Sequence, residues 1–216
     1  MTPALETRRL ILRPLALEDA EQVQHIFPQW TIVQHLNAIV PWPYPPDGVL
    51  TYYRDLAMPA IASNNEWHWT LRLKLAPEII VGAIGLMRTL DPAVPMHNRG
   101  FWLDPTHHNQ GLMTEAVIAA NEYWFDVLGY PILSTGKATA NIASRRISEK
   151  TGMRLVSTGE SNYVCGRLPS ENWEITREEW HTWRATHLRT DKTASKSQEI
   201  PSPGDAAHDS GHGGHR

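Results

Sequence analysis

Between Arg99 and Ala116 the chain reads RGFWLDPTHHNQGLMTEA, and within that stretch its hydrophobic period changes from that of a strand to that of a helix. Gly100 to Leu103 is a short strand pattern closed by Asp104-Pro105. Thr114 to Leu128 then carries Val117, Ala120, Trp124 and Leu128 on one face, with Gly129 just past the end as a stop. A strand, a polar loop with Gly111 and a helix in direct succession turn backbone N–H groups and the positive end of a helix dipole toward one spot, and such a spot binds phosphate oxygens. A diphosphate would fit there, although a single glycine before a helix also serves simply as a turn. The loop lacks the Lys-Ser/Thr pair of a nucleotide-hydrolysing P-loop and the three glycines of a dinucleotide fold, which disfavours both.

The other segments arrange themselves around this junction. Leu10 to Arg13 is a strand ended by Pro14, and Glu18-Asp19 sits where the first turn of a helix welcomes negative charge. From Phe27 to Pro59, prolines alternate with Trp30, Trp42, Tyr44, Tyr52 and Tyr53, a texture that predicts short helices and loops, with the aromatics walling a pocket or packing a core. Trp67 to Leu75 and Ile79 to Met87, separated by Ala76-Pro77-Glu78, read as neighbouring antiparallel strands. Ile132 to Thr135, Arg154 to Ser157 and Asn172 to Ile175 read as further strands, Ala143 to Lys150 as a helix, and Thr176 with Glu179 as the capping box of a last helix. The order predicts an α/β (α+β) fold, a single domain with a mixed, mostly antiparallel central sheet flanked by helices.

With 216 residues, 41% hydrophobic and 20% charged, one domain over residues 1–189 accounts for the core. Residues 190–216, rich in Lys, Ser, Pro and Gly, predict a disordered tail whose His208, His212 and His215 lack a scaffold for a metal. A net charge of −3 with interspersed signs gives no reason to expect nucleic acid or membrane as partner. One cysteine, Cys165, with no local histidine, excludes an intrachain disulfide and reads as a bystander thiol, and a reducing, cytoplasmic location is the default expectation. Monomer and homodimer are both compatible with the chain.

Several separated motifs then fall into one order. Thr7 to Arg13 reads TRRLILR, Trp102 to Pro105 reads WLDP, and His108 to Met113 reads HNQGLM before Thr114-Glu115-Ala116; further on stand Asn141-Ile142-Ala143-Ser144 and Ser148 to Met153, SEKTGM. Together they resemble the GNAT superfamily of N-acetyltransferases and, within it, the RimJ/RimL-like branch, over roughly Thr7 to Trp183. The superfamily loop Gln/Arg-x-x-Gly-x-Gly/Ala is matched here only at Gly111, and Met113 puts a larger side chain beside the phosphate approach. The resemblance implies a GNAT-like fold and acetyl-CoA as cosubstrate, with no metal. By the same likeness the cofactor would be held by Phe101, Trp102, Leu103, His108, Asn109, Gln110, Gly111, Leu112, Met113, Thr114, Asn141 and Ser144. Asn141 would bond the pantetheine arm and Ser144 would lie near the sulfur, although an asparagine there also suits a helix cap.

The implied reaction is direct attack of a primary amine on the acetyl thioester with both substrates bound, the acceptor being a protein N-terminal α-amine or a small-molecule amine. A strand N–H between Phe101 and Leu103 would polarise the carbonyl. Ser144, with Tyr163 behind it, is the candidate donor to the departing thiolate. Glu66, His68 and His97 are candidates to take the amine's proton, each equally readable as an ordinary strand-edge residue. Glu115, in the first helical turn, has a structural role that suffices, and Arg145 and Arg146 read as a solvated face. A catalytically silent acyl-CoA-binding module would show the same motifs.

Overall fold

The computed structural model describes residues 2–88 and 97–187; the tail expected from 190 onward lies outside them. Five strands form one antiparallel ladder in chain order: β1 (Leu5–Glu6), β2 (Leu10–Pro14), β3 (Glu66–Leu73), β4 (Ala76–Met87) and β5 (Arg99–Leu103). Three more, β6 (Ile132–Ala138), β7 (Arg154–Tyr163) and β8 (Gly166–Thr176), form a second ladder in the order β6-β8-β7. Among the described residues every strand pairing is antiparallel. The ladders meet where Asn98 N–H donates to Ser134 O at 2.7 Å, Ser134 N–H to Asn98 Oδ1 at 2.9 Å and Gly136 N–H to His97 Nδ1 at 2.8 Å.

The helices are α1 (Ala20–Ile26), α2 (Trp30–Val33), α3 (Gly48–Tyr52), α4 (Met58–Ala62), α5 (Leu112–Glu122), α6 (Ile142–Lys150) and α7 (Arg177–His187). Alternation along β3 explains how they are distributed. Trp67, Trp69 and Leu71 project to one face and join Trp124 and Phe125, at the end of the α5 rod, in the main core. Trp69 is fully buried, lies edge-on to Tyr123 at 5.5 Å and donates its indole N–H to Pro3 O at 2.7 Å. The opposite face carries His68, Thr70 and Arg72. There the Asp19 carboxylate, just before α1, accepts from Arg72 at 2.7 Å and Thr70 at 3.2 Å, a buried ion pair that seats α1 on the sheet. A second apolar cluster of Val23, Val49, Tyr53 and Ile80 fills this side.

Several boundaries differ from the sequence expectation for physical reasons. The hairpin between β3 and β4 turns at Lys74-Leu75, and Ala76-Pro77-Glu78 belongs to β4. The amphipathic helix begins at Leu112, two residues before Thr114, and closes through a π turn, Tyr123–Val127. β7 extends to Tyr163, well past Ser157. Its residues before Tyr163 are exposed along a sheet edge, so no alternation marked it. The last helix is capped as expected: Glu179 N–H donates to Thr176 Oγ1 at 3.2 Å and Thr176 N–H to Glu179 Oε2 at 2.8 Å.

Candidate active site

Arg99, at the start of β5, donates to Asn121 Oδ1 at 2.5 Å near the end of α5 and to Met153 Sδ at 3.4 Å just past α6. Both helices therefore finish beside the start of β5, and both begin at the opposite end of the sheet, where β5 and β6 finish. Two helix N-termini share that end, each with amide N–H groups that the helix itself leaves unpaired.

At the start of α5, Gly111 is exposed and left-handed, φ +74°. A Cβ there would be strained by the backbone and would find only Arg9 Nη2 nearby, at 3.6 Å. The loop surface beside the first α5 amides is thus open, and it suits the oxygens of a diphosphate. Leu112 and Met113 turn inward, 2% and 6% exposed, so the Met113 side chain packs in the core rather than over the loop. Asn109 is also left-handed, at φ +60°. His108, Asn109 and Gln110 are exposed and Thr114 half-buried, while the His108 ring is within 3.0 Å of Leu103 O. Phe101 and Trp102 are half-buried and Leu103 buried on the strand leading in, with Phe101 toward the main core and Trp102 stacked edge-on to Phe27 on the other face.

The loop is held from a distance. Glu115 Oε1 accepts from the Thr7 hydroxyl at 2.6 Å and the Arg9 N–H at 2.7 Å, Oε2 accepts from Arg9 Nε at 2.7 Å, and Arg9 Nη1 reaches Gln110 O at 2.9 Å. Burial pushes the Glu115 carboxyl up, but the Thr7 and Arg9 hydrogen bonds and the Arg9 charge outweigh it and hold the group below its ordinary value. A depressed carboxylate contributes stability that is present above its unfolded value and lost as pH falls through the folded one. Glu115→Gln is accordingly expected to cost about 1–3 kcal/mol at neutral pH. The deficit should shrink below about pH 4, as read from urea unfolding at two pH values.

At the second helix start, Asn141 caps α6: its Oδ1 accepts from Ser144 N–H at 3.1 Å. The capping role foreseen for this asparagine is thus filled, and its Nδ2 has no partner among the described residues. Ser144 is half-buried in the first turn. Beneath it the interior is polar: Lys137 Nζ donates to Thr135 Oγ1 at 3.0 Å and Ser148 Oγ at 2.9 Å and lies 5.4 Å over the Trp173 ring. Burial, then the nearby Arg99 charge, bring Lys137 down to about 7, with Glu171 opposing. Arg99 Nε and Asn121 Nδ2 are buried without a partner among the described residues. The sequence contains no signal for this cluster, since each member reads as a polar residue in a strand or helix.

The remaining candidates are dispersed. Glu66 and His68 face the side of the sheet away from α5 and are hydrogen-bonded, Nε2 to Oε2 at 2.6 Å. Tyr52, at the end of α3, feels the Glu66 charge; burial first, then Glu66, push its phenol up to about 12. Trp30 and Trp42, 5.4 Å apart, are exposed, Tyr52 keeps only 39% of its surface in solvent, and Tyr53 is core. Tyr163 is buried at the far end of β7, bridged to Asn37. Its phenol is raised by burial, with the Ser161 and Ser170 hydroxyls pulling it back and Cys165 adding to the rise. His97 is committed to Gly136 N–H. Cys165 is exposed, and Arg145 pairs with Glu149 and Glu171. Among the described residues no cluster of His, Cys, Asp or Glu has the makings of a metal site, and no helix is long and apolar enough to cross a membrane.

An open, left-handed loop at one helix start, beside a second helix start on the same sheet end, suits a ligand with a diphosphate, and likeness to known proteins makes the chain an acyltransferase. The chain belongs to the GNAT acetyltransferase family: the acetyltransferase (GNAT) domain matches residues 9–154. It is similar to the probable N-acetyltransferase YjcK of Bacillus subtilis, 23% identical over 168 residues that span 73% of this chain and 87% of that one. Among solved structures it resembles the ribosomal-protein-S5-alanine acetyltransferase of Vibrio fischeri, with a TM-score of 0.66 and 15% identity over 82% of this chain and 98% of that one. It also resembles RimL, a ribosomal L7/L12 α-N-protein acetyltransferase in complex with coenzyme A, with a TM-score of 0.66 and 12% identity over 81% and 98%. At these identities the structural likeness carries the fold alone. GNAT enzymes use acetyl-CoA and acetylate an amine.

Proposed function

We propose that this chain acetylates a primary amine by direct attack within a ternary complex, as a cytoplasmic enzyme of the RimJ/RimL-like branch. The observation that carries the proposal is the exposed, left-handed Gly111 opening onto the unpaired amides of α5. In this reading the loop from His108 to Thr114 holds the diphosphate of acetyl-CoA, Asn141 Nδ2 donates to the pantetheine arm, and the β5 backbone between Phe101 and Leu103 polarises the thioester carbonyl. Acetyl-CoA supplies the activated acetyl group. The protein's largest contribution is holding amine and thioester together, about 7–11 kcal/mol of the barrier when the geometry is near attack. The Ser144 hydroxyl donates to the departing sulfur, with Tyr163 the second choice, and the Glu66 region receives the amine's proton.

An N-terminal α-amine loses its proton near neutral pH for about 1 kcal/mol, a lysine side chain for about 4–5 kcal/mol. Two solved neighbours are named for protein acceptors, ribosomal protein S5 alanine and the α-amine of L7/L12, so free peptide N-termini are the first acceptors to assay, before small amines. Gly111→Val is expected to weaken coenzyme A binding by about tenfold or more, since forcing a β-branched residue left-handed costs about 1–3 kcal/mol. Titration calorimetry measures it. No heat from the unaltered protein, or equal affinity in the variant, overturns the reading. Thiol release with a panel of amines then separates an enzyme from a silent acyl-CoA-binding module, for which binding persists without turnover on any acceptor.

A further inference from the structure

On the face of the N-terminal ladder opposite α5 lies the Glu66 region, for which the reading above names no proton-accepting atom. Glu66 and His68 are two apart on β3, so both point to that face, and their side chains are joined at 2.6 Å. The register across the sheet runs His68 to Gly85 on β4 to Gly100 on β5. Gly85 is required there: a Cβ would fall 2.6 Å from His68 Nδ1 and 2.7 Å from Cε1, so the imidazole occupies the volume that any other residue would fill. The ring therefore lies across β4, one strand from Gly100. At Gly100 the surface is open, a Cβ meeting only Met87 Cε at 3.7 Å. Gly100 immediately precedes Phe101, where the thioester carbonyl is placed in the proposed function. Adjacent strands are about 4.8 Å apart, so a group over β5 is within reach of the ring through about one water.

Because Nε2 faces the Glu66 carboxylate, the tautomer that satisfies both is Nε2–H donating to Glu66, which leaves the lone pair on Nδ1. Nδ1 has no hydrogen-bond partner among the described residues, and the side chain keeps 11% of its surface open. We propose that His68 is the general base for the acceptor amine and that Glu66 is a positioning residue, fixing the tautomer and stabilising the imidazolium. The inference rests on the acetyl-transfer reading. The ammonium N–H breaks and an Nδ1–H forms, directly or through one water, the electron pair staying on the amine nitrogen. That nitrogen bonds the acetyl carbon as the C–S bond breaks and its pair leaves on sulfur. The nitrogen's second N–H then breaks, its pair staying on what becomes the amide nitrogen, and a proton passes by way of the Ser144 hydroxyl and solvent to the thiolate to give the free thiol, while the imidazolium returns its proton to solvent. The other ionisable groups toward this face are Tyr52 at the end of α3, Tyr53 just after it and Tyr44 before it, and further along the sheet the Asp19, Arg72 and Arg13 cluster, which is internally paired.

The test combines spectroscopy with kinetics on the full chain. In ¹⁵N NMR the neutral His68 ring should carry its proton on Nε2, with a downfield Nε2–H resonance that disappears in Glu66→Ala. An Nδ1–H tautomer overturns the assignment. With acetyl-CoA and two probe peptides, one with a free α-amine and one N-terminally blocked with a single lysine, His68→Ala should lower kcat/KM for whichever is accepted by roughly 10²- to 10⁴-fold. It should also remove the fall in rate on the acid side and leave calorimetric affinity for coenzyme A unchanged. Gly85→Ala, which puts a methyl group where the ring lies, should reproduce the loss. Turnover by His68→Ala within twofold of the unaltered protein overturns this inference alone, while absent coenzyme A binding by the unaltered protein overturns the acetyl-transfer reading beneath it.

Discussion

Lys137→Met is expected to stabilise the fold at pH 6.5, by up to about 1–4 kcal/mol, the range seen when a buried ion pair or triad is replaced by apolar side chains of similar volume. The ammonium sits among Thr135, Ser148 and the Trp173 ring, close to a second buried cation, Arg99. Burial first, and Arg99 second, bring its value from 10.5 to about 7, an effect that the Glu171 carboxylate only partly offsets. The sign follows from proton counting. Between about pH 7 and the unfolded value near 10.4 the unfolded chain binds the extra proton, so stability from this group rises as pH rises. The methionine variant lacks that slope. Its advantage should be largest below pH 7 and should shrink toward pH 10, when guanidinium unfolding is followed at both ends of the range. A variant equally displaced at pH 6.5 and pH 10 would refute the account.

Trp69→Ala should act in the opposite direction and strongly. The indole is fully buried, its N–H bonds Pro3 O, and its ring meets Tyr123 edge-on. Truncating such a residue costs about 3–5 kcal/mol, a large share of a total that is usually about 5–15 kcal/mol. The denaturant midpoint should fall with little change in slope. Trp30→Ala, at a ring 43% exposed, provides the contrast and should move the midpoint little.

These two sites also show what a sequence can reveal. The strand from Trp67 to Leu75 was legible because the alternation of bulky and polar side chains depends only on neighbours, and the same holds for Gly111 before a helix and for the reciprocal cap of Thr176 and Glu179. Edge strands escape this logic. β7 runs through Ser157, Thr158, Gly159 and Glu160 because its partner β8 supplies the hydrogen bonds, and no apolar period records that. Contacts between distant segments escape it too. Thr7 and Arg9 were visible as part of a recurring motif, but nothing in their spacing says that they grasp Glu115. His68 and Glu66 were visible as candidates, while the glycine that makes room for the ring stands on another strand. Lys137 and Arg99 read as ordinary charges until the fold brings them together inside.

The grip of Thr7 and Arg9 on Glu115 spans 108 and 106 positions of chain. Contacts of such separation are established only after the entropy of closing a long loop has been met, whereas the α5 rod itself is built from near neighbours. The rod can therefore wind early while the turn before it acquires its final contour late, so competence to receive a ligand matures after the scaffold has condensed.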